Sequence, residues 1–410
     1  MSETSVNVVV VGGGLAGAKA VEELLANGHT GDITLVGAEP RRPYERPPLS
    51  KGLLLGTEQP DSVFVHDADW YAAQQVELLT GTRVTGLDLA SRRIELTDRQ
   101  VPYDRLLLAT GARPRRLAMA EHSGADVIHL RTLEDSLALK PRLSEKVLII
   151  GAGWIGLEVA AATREAGGSV TVVESAALPL LGVLGPEVAP LFAALHRDHG
   201  VDLRLATSVE SIERTASGTV VRLSDGHEVR PDLVLVAIGV EPDVELGAAA
   251  GLSVDDGIVV DAALRASAPG VLAAGDVAAH DHPTLGRIRV EHWDTAIQHG
   301  RHAARTMLGD DAPYTRQPYF FTDQYDLGME YVGHVGPDGY DEVTFRGDLA
   351  GRMFTALWTR GNRVVAGMQV NDFDVTDALR SVVGQNVGLL ARDPDVDLAQ
   401  LAAAAVEDTA

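Results

Sequence analysis

Glycines at a fixed spacing, each set followed downstream by an acid, carry the first chemistry in this chain. Gly12-x-Gly14-x-x-Gly17 follows the apolar run of residues 6–11, and Glu39 lies beyond a second apolar run, Ile33 to Val36. In such a turn the first glycine permits a tight bend, the second lets backbone approach a pyrophosphate, and the third packs helix on strand. The helix start adds a positive dipole, with Leu15 and Ala16 in its opening turn. Glu39 is placed to accept the hydroxyls of an adenosine ribose. The same grammar returns at Gly151-x-Gly153-x-x-Gly156, with Trp154 and Ile155 at its variable positions and Glu174 closing the next apolar run. A carboxylate there bonds a free 2′-hydroxyl and repels a 2′-phosphate, and Ala176 to Gly182 offers no compensating cation, so NADH is expected over NADPH. Two dinucleotide sites in one chain imply two nucleotides, hence a flavin reduced by a nicotinamide.

The elements that must position these residues follow from the hydrophobic pattern. Each glycine set sits between a short β-branched run and a helical stretch, which predicts buried parallel strands in a duplicated βαβ architecture of the α/β class. Further apolar runs end in glycine: residues 106–108 lead into Ala109-Thr110-Gly111, residues 233–237 into Ile238-Gly239, and residues 271–274 into Gly275-Asp276. Beyond about residue 310 the texture turns aromatic and alternating, which predicts a third, mostly antiparallel α+β domain. The expected layout is an FAD domain of residues 1–111 and 240–311, an inserted NADH domain at 112–239, and a C-terminal domain at 312–410. The acidic tail from 381 reads as a solvated helix or a frayed end.

Composition narrows the function classes. The chain has 410 residues, enough for two or three domains with large cores. A net charge of −23 opposes binding to a phosphodiester backbone or an anionic bilayer, so neither nucleic acid nor membrane is an expected partner. Cysteine is absent, which removes disulfides, thiolate metal sites, cysteine nucleophiles and any dithiol redox couple. Redox chemistry must then belong to a bound cofactor. Met1-Ser2-Glu3-Thr4 lacks the cationic start of a signal peptide and no run of 18 apolar residues occurs, so a cytoplasmic enzyme is expected.

With those motifs in place, further segments carry a family resemblance: Pro43 to Lys51 (PYERPPLSK), Ala109-Thr-Gly111, Leu130 to Asp135 (LRTLED), Gly156 to Ala160 (GLEVA), Ala273 to Asp276 (AAGD) and Glu291-His292-Trp293. The chain resembles, over nearly its whole length, the FAD-dependent, NADH-oxidising ferredoxin reductases that serve bacterial oxygenases and haem monooxygenases. The resemblance implies a three-layer, glutathione-reductase-like fold with two Rossmann-like domains. It implies hydride transfer from NADH to FAD, then single electrons to a [2Fe–2S] ferredoxin or, less expected, a rubredoxin, with the terminal oxygenase served indirectly. Lys51 is then the cation beside the isoalloxazine. Glu158, read as lying in the first turn of the second glycine helix, either pairs with Lys51 or compensates the helix dipole. Asp276 accepts from the ribityl chain or caps a helix. Arg46 and Arg131 belong to the FAD site, Arg131 near the pyrophosphate, the alternative for Arg131 being an interdomain salt bridge. Val84 and Trp293 flank the adenine and the isoalloxazine, with Glu291 and His292 beside the latter, and Trp154 gates the flavin face.

A helix expected over residues 295–308 places Arg301 and Arg305 four residues apart on one face, where an acidic ferredoxin could dock, or where the cations merely face solvent. Leu308 is expected on its apolar face. His280 and His282 in Ala-His-Asp-His-Pro read as a loop and not as a metal site. Monomer and homodimer stay open. The rivals are an NADH oxidase and, from another class, a flavoprotein resembling apoptosis-inducing factors, in which NADH binding switches assembly.

Overall fold

A computed structural model describes residues 6–336 and 338–407, so the reading of Met1 to Thr4 lies outside the described residues. The chain divides into two compact units. The first holds the described residues through Glu45, then Asp61–Arg113 and Glu241–Phe320. The second holds Arg46–Pro60, Pro114–Val240 and the described residues from Phe321 onward. The segment Arg46–Pro60, which chain order inserts in the first unit, therefore packs with the second.

Each unit is built on a five-stranded parallel sheet whose central strand is the one that runs into the glycines. In the first unit the order is Val271–Ala273, Arg105–Leu108, Val8–Val11, Ile33–Val36, Val76–Leu79. In the second it is Val127–Ile128, Leu233–Val236, Lys146–Ile150, Ser169–Val173, Asp202–Arg204. Val10 lies between Leu107 and Leu35, and Ile149 between Leu235 and Val172. Strands covered on both faces need no polar alternation, which is why Val8–Val11 is valine throughout and wholly buried.

The helix expected over residues 295–308 spans Trp293–Met307, and Leu308 falls beyond it, exposed. It lies against the first glycine helix, Leu15–Ala26, closely enough that a Cβ on Gly300 would meet the carbonyl oxygen of Ala16 at 2.3 Å. The C-terminal part of the second unit is the expected antiparallel sheet, in which Leu327–Gly333, Arg363–Val370, Met353–Arg360 and Glu342–Asp348 are neighbours in that order and Tyr319–Gln324 flanks the first. Its tail differs from a solvated end. Leu398–Glu407 is a helix whose Leu398 and Leu401 are buried.

The Ala-His-Asp-His segment is also not a loop. Ala278–His282 is a strand, and His280 and His282 are both buried on it. His280 meets His299 and Tyr314 edge-on, and His302 meets Tyr314 likewise. Among the described residues no group of three or more His, Asp or Glu side chains is arranged to hold a metal ion. Burial pushes His280 down to about 4, with the nearby histidines adding to the effect, and drives His299 well below its ordinary value. In the unfolded chain these rings take up protons near 6.5, while folded His280 resists until about 4. The unfolded state thus binds more protons in that window, and stability falls as pH drops from 6.5 toward 4. Each such ring adds about 1.4 kcal/mol per pH unit to the slope at its steepest. Urea denaturation followed between neutral and acid pH should show this slope, and His280→Phe should flatten it; an unchanged slope would refute the assignment.

Candidate functional site

The two glycine turns are superimposable in function, position by position. Gly12 (φ +126°) and Gly151 (φ +107°) adopt left-handed backbone, and a Cβ on them would lie 2.0 Å from the Ala109 oxygen and 2.4 Å from the Ala237 oxygen. A Cβ on Gly17 or Gly156 would strike the carbonyl oxygen of Gly12 or Gly151, at 2.3 and 2.2 Å. Gly14 and Gly153 face open space within 4 Å. The first and third glycines therefore serve the fold, and the middle one leaves room for a ligand.

Those open positions are also helix starts. Gly14 and Gly153 are the N-caps of Leu15–Ala26 and Trp154–Glu165, neither supplies a side-chain cap, and neither helix has an acid in its first turn. The helix Leu133–Leu139 shows the contrast. Thr132 and Asp135 close a reciprocal capping box on Leu133–Leu139. Two helix ends that keep amide hydrogens unclaimed by side chains, beside a space that a Cβ would fill, fit pyrophosphate groups.

The surrounding candidates are placed as follows. In the first unit, Leu15 and Ala16 are buried, Glu39 accepts a hydrogen bond from the Tyr44 hydroxyl, and Val84 is half-buried. The Ala109 amide donates to Val11, the Thr110 hydroxyl donates to the Asp243 carbonyl at 2.7 Å, and Gly111 is left-handed. Asp276 is no N-cap; it is the middle residue of a single 3₁₀ turn, Gly275–Val277, whose Gly275 approaches the Ala16 methyl. Trp293 opens its helix and donates from Nε1 to Glu45 at 3.1 Å, His292 stacks on Phe320, and Glu291 accepts from Arg289. Arg301 and Arg305 pair with Glu22 and Glu23 of the first glycine helix, at 3.5 and 2.9 Å, so intramolecular carboxylates already offset both cations.

In the second unit, Ile155 and Ile238 are exposed apolar residues, Gly239 is left-handed, and Trp154 meets Phe192 edge-on. Glu174 accepts the Ala152 amide on one oxygen and the Ala176 amide on the other, each at 2.8 Å, which ties the glycine turn to the loop after the second strand. Arg46 donates to the carbonyl of Arg131, whose amide donates to Asp135 at 3.0 Å.

Lys51 and Glu158 meet. Pro47 and Pro48 start a 3₁₀ turn ending at Ser50, and the Ser136 hydroxyl holds it by donating to the Leu49 carbonyl. Lys51 Nζ then reaches Glu158 Oε1 at 2.5 Å and stands 5.4 Å from the centre of the Phe321 ring. Glu158 is the fifth residue of a helix that begins at Trp154, past the first turn, so dipole compensation is not its role. It is buried, and its carboxylate also accepts from the Ser50 and Thr322 hydroxyls. Ser50, Thr322, Gln324 and His196 were not singled out by the sequence; the signal present was a pair of polar residues at alternate, buried positions, Thr322 and Gln324, on either side of exposed Asp323 in the strand Tyr319–Gln324.

The chain is similar to known proteins over most of its length. The family described as pyridine nucleotide-disulphide oxidoreductase matches residues 6–300, and the reductase C-terminal family matches residues 319–402. The ferredoxin–NAD(+) reductase component of the anthranilate 1,2-dioxygenase system of Burkholderia cepacia is 40% identical over 88% of this chain and 90% of its own length. Putidaredoxin reductase of Pseudomonas putida is 39% identical, over 89% of this chain and 88% of its own. The crystal structure of a covalent putidaredoxin reductase–putidaredoxin complex superposes with a TM-score of 0.93 at 37% identity, covering 98% of this chain and 100% of the other.

Alanine substitution separates the two kinds of glycine. Gly14→Ala and Gly153→Ala should leave the stability of ligand-stripped protein within about 0.5 kcal/mol of wild type, whereas Gly12→Ala and Gly151→Ala should lower it by roughly 2 kcal/mol or more. Urea titration of the four variants reads this directly, and equal losses at all four would remove the distinction.

Proposed function

The chain belongs to the pyridine nucleotide-disulphide oxidoreductase family, and from that membership we propose that it is a ferredoxin–NAD(+) reductase. It takes a hydride from NADH onto FAD and passes single electrons to a [2Fe–2S] ferredoxin that feeds an oxygenase or a cytochrome monooxygenase. The observation that carries this reading is the pair of matched glycine cradles in a chain whose 410 residues include no cysteine. Two dinucleotides are held, and the polypeptide has no thiol couple to place between them.

Bound FAD supplies the conversion of a two-electron donor into two one-electron deliveries. The protein's part is binding and electrostatics. The Gly12 to Gly17 backbone and its helix start take the FAD pyrophosphate, with Glu39 toward the ribose and Asp276 toward the ribityl chain. The Gly151 to Gly156 turn takes NADH, with Glu174 toward its adenosine ribose. Lys51 is the cation offered to the negative charge that hydride transfer creates, and Glu158 holds that ammonium in one orientation. No protein nucleophile is required. Among the described residues no helix is long and apolar enough to cross a membrane, and the reaction is assigned to the cytoplasm, where NADH is supplied.

Purified protein should be yellow, and NADH should drive cytochrome c reduction only when a ferredoxin is added. Rapid oxygen consumption without that dependence would indicate an oxidase, and a colourless chain that cannot be reconstituted with FAD would end the reading. In stopped-flow reduction NADH should outpace NADPH by about tenfold or more, a difference of about 1.4 kcal/mol, with Glu174→Ala narrowing the gap. Equal rates for the two nucleotides in the wild type would undo the role given to Glu174.

A further inference from the structure

A line of hydrogen bonds runs inward from Glu158 through the second unit. The Thr322 hydroxyl donates to Glu158 Oε1 at 2.6 Å. Gln324 Nε2 donates to that same hydroxyl oxygen at 3.1 Å. Gln324 Oε1 lies 2.8 Å from Nε2 of His196. Thr322, Gln324 and His196 are all within 1% of complete burial.

The direction of this line is fixed by valence. A hydroxyl has one hydrogen, and with the Gln324 amide donating to its oxygen, Thr322 must spend that hydrogen on the carboxylate. The amide has then turned its oxygen to the imidazole, so His196 must carry its proton on Nε2. Nδ1 of His196 is buried without a partner, as expected of a neutral ring in this one tautomer. Every donor along the line points the same way, from His196 toward Glu158.

We infer that His196, Gln324 and Thr322 form a positioning relay that holds the Glu158 carboxylate aimed at Lys51. The inference rests on the reading of Lys51 and Glu158 as the pair that serves hydride transfer. The Lys51 ammonium and the Ser50 and Thr322 hydroxyls converge on that carboxylate and fix its orientation. The relay removes the hydroxyl's alternative, which is to rotate and accept from elsewhere, and donors aligned head to tail polarise one another. Protonation of Glu158 would reverse the need for a donor at Oε1 and leave Lys51 without its anchor. The other charged or titratable groups around the line are Asp323, exposed on the same strand, with Glu330 acting on it, and His199 and Tyr325 beside His196, with Arg164 and Glu165 acting on Tyr325. None of them supplies a hydrogen bond to Glu158. Burial keeps His196 neutral, its value pushed down to about 4, so the relay keeps its direction across the neutral range.

The test has two parts. Thr322→Val and Gln324→Met keep the volume and remove the donors; each should lower the rate of NADH-driven flavin reduction about tenfold over its pH profile, with KM for NADH within about twofold. Thr322→Ser, which restores the hydroxyl, should return the profile toward wild type. Profiles that overlay wild type in both variants, or a serine variant that behaves as the valine one, would overturn the relay while leaving the flavin reading intact. The second part needs no substitution in the line and no turnover. Nitrogen NMR of the wild-type imidazoles, with His196 identified by the signal missing in His196→Phe, should show protonated Nε2 and bare Nδ1 at neutral pH. A ring protonated on Nδ1, or charged at pH 6, would reject the relay even if the variants failed to fold. Should the protein prove to hold no flavin, the tautomer alone would decide.

Discussion

One buried carboxylate organises the second unit. Removing the Glu158 charge from water is costly, and an ion of this size is kept inside only if opposite charge and donors repay several kcal/mol. The repayment comes from three separate stretches of chain: Ser50 and Lys51 from the proline-led segment, Glu158 from the second glycine helix, and Thr322 from the first strand of the C-terminal sheet. Each must be in place for the others to be tolerated. The same arrangement that makes a sensible environment for a negative charge also makes the ammonium of Lys51 available in one orientation, so stability and chemistry rest on the same set of bonds.

Legibility from the sequence tracked how local the physical cause was. The glycine turns were readable because a left-handed backbone and a helix packed on a strand leave a residue-type signature within six positions, and both copies show it. The parallel sheets were readable because a strand covered on both faces cannot afford polar residues. The ends of helices were less so. The helix starting at Trp293 has His292 at its N-cap, with no Ser, Thr, Asp or Asn to announce the start, and Glu158 was set one turn too early in the same way. Wherever the cause was a partner far along the chain, the sequence was silent. The spacing of Arg301 and Arg305 was plain, but their pairing with Glu22 and Glu23 was not. Ala-His-Asp-His looked like a polar loop until the helix histidines and Tyr314 closed over it. The resemblance supplied Lys51 and Glu158 together; it did not supply Thr322, Gln324 or His196.

The family description carries the word disulphide, yet this chain has no sulfur to offer but methionine. What the chain has is the pair of glycine turns, and it brings no thiol couple of its own. Electrons must therefore leave through the cofactor itself. The relatives named as partners of ferredoxins are consistent with that route, since an iron–sulfur acceptor takes one electron at a time and needs contact with a protein surface, not a pocket for a small substrate.

Both units are discontinuous in the chain, and this orders their birth on the ribosome. The edge strand Val271–Ala273 completes a sheet whose centre was synthesised some 260 residues earlier, and the fragment from Arg46 to Pro60 waits for helix and strand partners that emerge much later. The stretch from Pro114 to Val240 holds the whole second parallel sheet and can collapse as soon as it leaves the tunnel. Val8–Val11 has both its neighbours once residue 108 is made, but Arg105–Leu108 keeps one edge open until Val271–Ala273 emerges, an unpaired apolar edge in the nascent chain that the finished protein's stability would never reveal.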